Sequence, residues 1–170
     1  MEKYHTISVL VENKFGVLAR VAGLFCGRGY NIDSLNVCNT IDPLVSKMTI
    51  VTHGEDAMVE QIDKQLNKLI DVIKVSDLSG SDFLERELAL IKVSGKTQDD
   101  RVAIIQLSEG FSGKIVNVQD SELCLEVSGE STRIDDFIKL VEDYGVIEVA
   151  RTGRVAVSRS AGATEDYSDL

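Results

Sequence analysis

The sequence predicts an α+β protein built from two βαββαβ units in tandem, on three observations. Apolar residues alternate in short runs, as in strands whose side chains point to opposite faces, and these runs interleave with apolar stripes at helical spacing. The order strand, helix, strand, strand, helix, strand can be traced twice along the 170 residues. Between the two rounds stands the small, polar "SGSD" at 79–82, which reads as a short linker.

Each element has its own signal. From Tyr4 to Glu12, Ile7, Val9 and Val11 alternate with Thr6 and Ser8, the pattern of a strand with one covered face. Val17 to Arg28 carries Val17, Leu18, Val21, Ala22, Leu24 and Phe25 on one broad stripe, a helix with Arg20 and Arg28 off it. Gly27-Arg28-Gly29 supplies a positive-φ stop, "YNIDSLNVCN" a second strand, Asp42-Pro43 a turn, and "SKMTIVTH" a third strand. Met58, Ile62, Leu66 and Leu69 mark the second helix and "DVIKVSDL" the fourth strand.

The second round opens on "RELALIKVS" as a strand. Thr97 with Asp100 forms a capping box at the start of a helix running through Leu107, and "GKIVNVQD" with "ELCLEVSG" forms a hairpin. Ile134, Phe137, Ile138 and Val141 share a helical face, and "GVIEVARTGRVAVS" reads as one last strand. The domains expected are 1–80 and 84–158, with 159–170 a flexible tail. A βαββαβ unit is the split βαβ, or ferredoxin-like, arrangement, in which an antiparallel sheet carries two helices on one face. A bare apolar second face is an association surface, so the units are expected to pair with each other or with a second chain.

Composition narrows the function classes. A net charge of −10 opposes phosphate backbones, and the sequence holds no basic run to overcome it, so neither nucleic acid nor an anionic membrane is an expected partner. Cys26, Cys38 and Cys124 are odd in number and far apart, which points to reduced, buried thiols rather than a disulfide or zinc framework. The N-terminal apolar run is too short for a signal peptide and no stretch is long enough to span a bilayer, so the expected location is the cytoplasm.

Several residues invite a chemical reading and do not sustain it. "SGKT" at 94–97 follows a strand and precedes a helix like the end of a phosphate-binding loop, but Leu90 stands where that loop needs its first glycine. His5 and His53 lack ligand spacing and read as strand-end histidines on a solvated face. Gly23 and Gly27 have small-residue spacing, read as ordinary packing with dimer contact as the other possibility. No metal or catalytic constellation emerges.

"NKFGVL" at 13–18 differs, because it sits where a strand hands over to a helix. Helix-start N–H groups lack internal partners and carry partial positive charge, which favours a carboxylate. Gly16 leaves room for one, and Asn13 adds an amide able to meet an ammonium or a carboxylate. The same residues also fit a plain helix cap and a chain turn, and on these positions alone both readings stand.

The long stretch "SVLVENKFGVLARVAGLFCGRGYNIDSLNV", with "DPLVSKMTI", "EQIDKQLNKLIDVIKV", "RELALIKV" and "YGVIEVARTGRVAVSR", resembles the regulatory (small) subunits of acetohydroxyacid synthase, also called acetolactate synthase. The likeness runs in order through both halves and leaves only "ATEDYSDL" outside. It implies an N-terminal ACT domain followed by a second ferredoxin-like domain, and no catalysis or cofactor of the chain's own. It further implies a homodimer that activates a separate catalytic subunit, to which thiamine diphosphate, FAD and magnesium would belong, and that confers feedback inhibition by valine or another branched-chain amino acid.

By the same resemblance the effector lies between two ACT domains, against Asn13, Lys14, Phe15, Gly16, Val17 and Leu18 of one chain and Asn31 and Ile32 of the other. Ala19 stands where bacterial members often carry Ser, and Lys47 where Arg is common. The alternatives are a free-standing ACT-type amino-acid sensor acting on a different enzyme and a small ferredoxin-like hydrolase. "EVARTGRVAVSR" belongs to the synthase-subunit pattern rather than a generic sensor, and "NKFGVL" lacks the arginine an acylphosphatase-like loop needs.

Overall fold

A computed structural model describes residues 3–159. In chain order the elements are β1 (Lys3–Glu12), α1 (Val17–Cys26), β2 (Ser34–Asn39), β3 (Val45–Gly54), α2 (Asp56–Leu66) and β4 (Val72–Asp77). Then follow β5 (Phe83–Ser94), α3 (Gln98–Gly110), β6 (Lys114–Val118), β7 (Glu122–Gly129), α4 (Ser131–Glu142), β8 (Val146–Arg151) and β9 (Val155–Ser158). The βαββαβ order thus occurs twice, as the periodicities predict, and the fold class is the expected one. The chain divides into two compact units, one running through Leu84 and rejoined by the segment from Arg154, the other Glu85–Gly153.

In the first unit the sheet order is β2-β3-β1-β4. Strand β1 lies antiparallel to β3 over its whole length, from Lys3 opposite Gly54 to Glu12 opposite Val45. Its odd-numbered residues face the helices, where Ile7, Val9 and Val11 meet Val21 and Phe25 of α1 and Ile62 and Leu66 of α2 in one buried cluster. Each such side chain removed from water contributes roughly 1.5–3 kcal/mol, and this burial fixes α1 and α2 on that face.

The face away from the helices is not the bare apolar surface expected. Thr6, Ser8 and Thr49 are buried there beside Leu10 and Val51. Arg154 returns across this face, its N–H donating to Ser34 Oγ at 3.1 Å and its guanidinium 5.9 Å from the Tyr4 ring centre. Strand β1 is buried on both sides from Thr6 to Val11, although its alternation of small polar and apolar residues has the look of a half-solvated strand.

The second unit repeats the plan in the order β6-β7-β5-β8. Ala89, Ile91 and Val93 pack with Leu123, Leu125, Ile104, Ile134, Phe137 and Val141. Even a register irregularity is repeated, between Leu10 and Val11 of β1 against β4 and between Lys92 and Val93 of β5 against β8.

Three expectations need correcting. "GVIEVARTGRVAVS" is two strands, because Gly153 at φ +74° interrupts it, and β9 groups with the first unit, where Arg159 N donates to Asp82 O at 3.0 Å. The cysteines are free but not buried: Cys26 is one residue round the helix from buried Phe25, Cys38 is on edge strand β2, and Cys124 is intermediate. His5 is only 1 % exposed, because it shares the helix-facing parity of Ile7 and Val9. Of the expected tail, residues 160–170 lie outside the described ones. Among the described residues no helix is long and apolar enough to cross a membrane.

Candidate functional site

Strand β1 ends where α1 begins, and the turn between them is "NKFGVL". Gly16 is the residue before the helix, at φ 82° and ψ −4°, a left-handed conformation that glycine enters without steric cost. Asn13 is not the cap. Its backbone N–H donates to Leu44 O at 2.7 Å and its Nδ2 to Pro43 O at 2.8 Å, fastening the turn to the β2–β3 connection. That bond points the amide oxygen away from Pro43, as an acceptor.

No side chain caps α1 and its first turn holds no acidic residue. The equivalent helix of the second unit makes the opposite choice. At α3 the Thr97 side chain accepts from Asp100 N at 3.0 Å, Asp100 Oδ2 accepts from Thr97 N at 3.1 Å, and Asp99 adds a second carboxylate. The same strand-to-helix joint is thus closed by its own side chains in one unit and left open in the other, with the positive end of α1 free to meet an anion.

The remaining residues of the turn divide by exposure. Lys14 pairs with Glu12 at 2.7 Å, Phe15 is wholly exposed, Val17 is buried in the core and Leu18 is 44 % exposed. Below them lies a contact that sequence reasoning missed. Arg20 donates from Nε and Nη2 to Asp71 Oδ2 at 2.8 and 2.7 Å, and the backbone carbonyl of Asp71 receives the N–H of Glu12. A Cβ at position 16 would stand 3.3 Å from Arg20 Nη1, so the guanidinium borders the turn. The four-residue spacing from Gly16 to Arg20 was the available signal; the link to Asp71, 51 positions away, had none.

Asn31 and Ile32 are elsewhere. Thr52 Oγ1 donates to Asn31 O at 2.6 Å, while Asn31 Nδ2 donates to Asp33 Oδ1 at 2.6 Å and His53 Nδ1 lies 2.6 Å from Asp33 Oδ2. Ile32 is half-buried against the core. This is the end of the sheet where β3 finishes, whereas Asn13 is bonded to Leu44 where β3 starts. Eight residues of strand separate the two anchors, roughly 25 Å. One chain therefore brings 13–18 together and holds 31–32 at the opposite end. Asn31, like Asn13, is exposed and has its amide N–H engaged, which leaves the amide oxygen as its acceptor group.

Gly23 and Gly27 make no close approach to another element: a Cβ at Gly23 would meet nothing within 4 Å and one at Gly27 only the Gly23 carbonyl of its own helix. "SGKT" is the capping box already described. Among the described residues no group of three or more His, Cys, Asp or Glu is placed to hold a metal.

A βαββαβ unit whose strand-to-helix turn carries a glycine and an amide, with no side-chain cap on α1, is a fold that regulatory ligand-binding modules share, and the comparisons give the family. Residues 7–74 match the model of the AHAS small subunit-like ACT domain and residues 86–160 that of the small subunit of acetolactate synthase. The chain is 48 % identical over 157 residues to the probable acetolactate synthase small subunit of Methanothermobacter thermautotrophicus, covering 92 % of this chain and 94 % of that one. It is 44 % identical over 156 residues to the acetolactate synthase isozyme 3 small subunit of Escherichia coli K12, covering 90 % and 94 %. A crystal structure of the acetolactate synthase small subunit from Thermotoga maritima superposes with a TM-score of 0.85 at 41 % identity, covering 94 % of this chain and 99 % of that one.

The chain belongs to the acetolactate synthase small-subunit family. It is a regulatory subunit and not the catalytic one, and membership implies a catalytic large-subunit partner and an ACT-type amino-acid effector.

Proposed function

We propose that this chain activates a thiamine-diphosphate-dependent acetohydroxyacid synthase catalytic subunit and subjects it to feedback inhibition by valine or another branched-chain amino acid. The effector lies between the first domains of two copies. The α1 start of one chain holds its carboxylate, the amide oxygens of Asn13 and of Asn31 from the other chain accept from its ammonium, and Leu18 with Ile32 receives its branched side chain. Thiamine diphosphate, FAD and magnesium stay with the catalytic partner. Residues 1–80 act as effector and dimerisation domain, and the unit Glu85–Gly153 as a second domain. Free thiols at Cys26 and Cys38 suit a reducing cytoplasm.

The observation that supports this reading is that residues 13–18 and residues 31–32 are anchored at opposite ends of β3, about 25 Å apart, so one chain does not bring them together. A two-fold axis near mid-sheet brings the Asn13 end of one chain to the Asn31 end of the other. A ligand bridging two chains then binds one quaternary arrangement better than another, and only such a difference can shift an equilibrium. The test is acetolactate formation from pyruvate by the catalytic subunit of the same source, with and without this chain, across a valine titration. Stimulation that valine reverses supports the reading; no stimulation and no inhibition overturns it.

A further inference from the structure

Three connections meet at the Asn13 end of the first unit: the turn after β1, the β2–β3 turn and the segment leading into β4. Each presents a large apolar side chain to water. Phe15 is 103 % exposed, Ile41 86 %, Leu44 74 % and Ile70 94 %. They are neighbours because their strands are. The order β2-β3-β1-β4 sets the three connections side by side, with adjacent strands about 4.8 Å apart. Asn13 N bonds to Leu44 O and Glu12 N to Asp71 O, tying both flanking connections to the central one.

These connections are pinned. Asp42 Oδ1 accepts from Leu44 N at 2.8 Å, Thr40 Oγ1 accepts from Asp42 N at 3.1 Å, and Val45 N donates to Asp42 O, which fixes the turn presenting Ile41 and Leu44. Ile70 stands beside Asp71, which Arg20 grips, and Val72 N donates to Leu69 O behind it. An apolar tip held in place by polar bonds loses little freedom when covered, a condition for a strong binding anchor. Its four side chains expose on the order of 500 Å², within the range at which an apolar patch marks an interaction site and comparable with the roughly 800 Å² each partner brings to a standard interface.

We infer that this tip is the surface by which the chain docks on its catalytic subunit. The inference rests on the proposed two-fold arrangement. There the Asn13 end of one chain meets the Asn31 end of its partner, so the two tips of a dimer point to opposite ends and do not pair with each other. The partner's Asn31 end takes the effector turn, and Ile41 and Ile70, which flank that turn on the β2–β3 and β4 connections, are the side chains assigned to the catalytic subunit. Phe15 joins this tip to the effector turn, so an effector seated against residues 13–18 acts directly on the docking surface.

The experiment compares the full chain with its Ile41→Asp/Ile70→Asp variant, and with the milder Ile41→Gln/Ile70→Gln pair, on the purified catalytic subunit. Three quantities are read: the concentration giving half-maximal activation, co-elution with the catalytic subunit, and calorimetric valine binding to the isolated chain. The expected result is a rise of at least tenfold in the half-activating concentration, with valine affinity and thermal midpoint unchanged and a smaller rise for the Gln pair. An unchanged half-activating concentration overturns the proposal. So does a variant that runs as a monomer where the wild type runs as a dimer, since the tip is then a contact between copies. Wild type that co-elutes with the catalytic subunit but neither stimulates it nor responds to valine overturns the regulatory reading alone, and co-elution of the variants still decides the docking surface. Wild type that does not bind the catalytic subunit overturns both.

Discussion

Asn13 donates its amide N–H to the carbonyl of Pro43 across 30 positions of sequence, at 2.8 Å, so its oxygen rather than its nitrogen is the group left to accept from a ligand. Replacing Asn13 by Ala removes both the fastening and the acceptor. The expected cost is about 1 kcal/mol of stability and a valine dissociation constant raised at least tenfold, read by urea titration and by calorimetry on the same preparation. Unchanged valine affinity in the variant counts against the amide as a ligand.

Gly16→Asp is expected to abolish valine inhibition while leaving stimulation of the catalytic subunit. The substitution sets a carboxylate where the effector carboxylate is proposed to sit, within reach of Arg20, and forces a side chain into φ 82° at roughly 1–2 kcal/mol. Acetolactate assays across a valine titration check it. Gly16→Ala separates the two effects: it carries the backbone strain without the charge and should retain partial inhibition.

Asn13→Ala and Asn31→Ala chains, refolded together, test whether the half-sites come from different copies. In a mixed dimer of a bridging kind, one site loses both amides and the other keeps both. Calorimetry of the mixture should therefore recover a fraction of sites with native affinity that neither variant shows alone. Were both half-sites drawn from one chain, no native site would form.

Acid stability should depend on Glu87. Its side chain is 4 % exposed and held by Arg151 through two bonds of 2.7 and 2.8 Å, with Arg151 also bonded to Asp135 and Ser131. Burial raises the Glu87 pKa, but the Arg151 hydrogen bonds and charge outweigh it and hold the carboxyl below its ordinary value, while Glu87 in turn raises that of Arg151. A lowered folded pKa contributes stability that is present above the ordinary Glu value, near 4.3, and is lost as pH falls through the folded one. Glu87→Gln should flatten that acid limb in urea midpoints measured from pH 6 to pH 3. Arg151→Met should cost about 3–5 kcal/mol at neutral pH by leaving the carboxylate buried without its counter-charge, with the Ser131 hydroxyl as its remaining partner.

The order of elements was legible because burial on one face imposes period two on strands and 3.6 on helices, and the Thr97–Asp100 box was legible because it is local. What depended on partners far along the chain was not. Thr6 and Ser8 read as a solvated face, yet both are buried, and Thr6 N donates to Ser79 Oγ, 73 positions away. His5 was misread although its odd number places it with Ile7 and Val9. In the candidate site the glycine and amide positions were visible as types, whereas the Arg20–Asp71 clasp and the Pro43 fastening join segments 51 and 30 positions apart. Ile41, Leu44 and Ile70 carried no sign of exposure, since apolar residues next to strands ordinarily continue the core.

The distance between Asn13 and Asn31 in a single chain has a consequence for dilution. An effector site shared by two molecules, as proposed, has no affinity to offer when those molecules are apart, so apparent valine affinity is expected to fall as the chain is diluted through its own dissociation constant. Valine, by mass action, should in turn hold the pair together. The response to the amino acid is then also a measure of how many copies of the chain are present to share it.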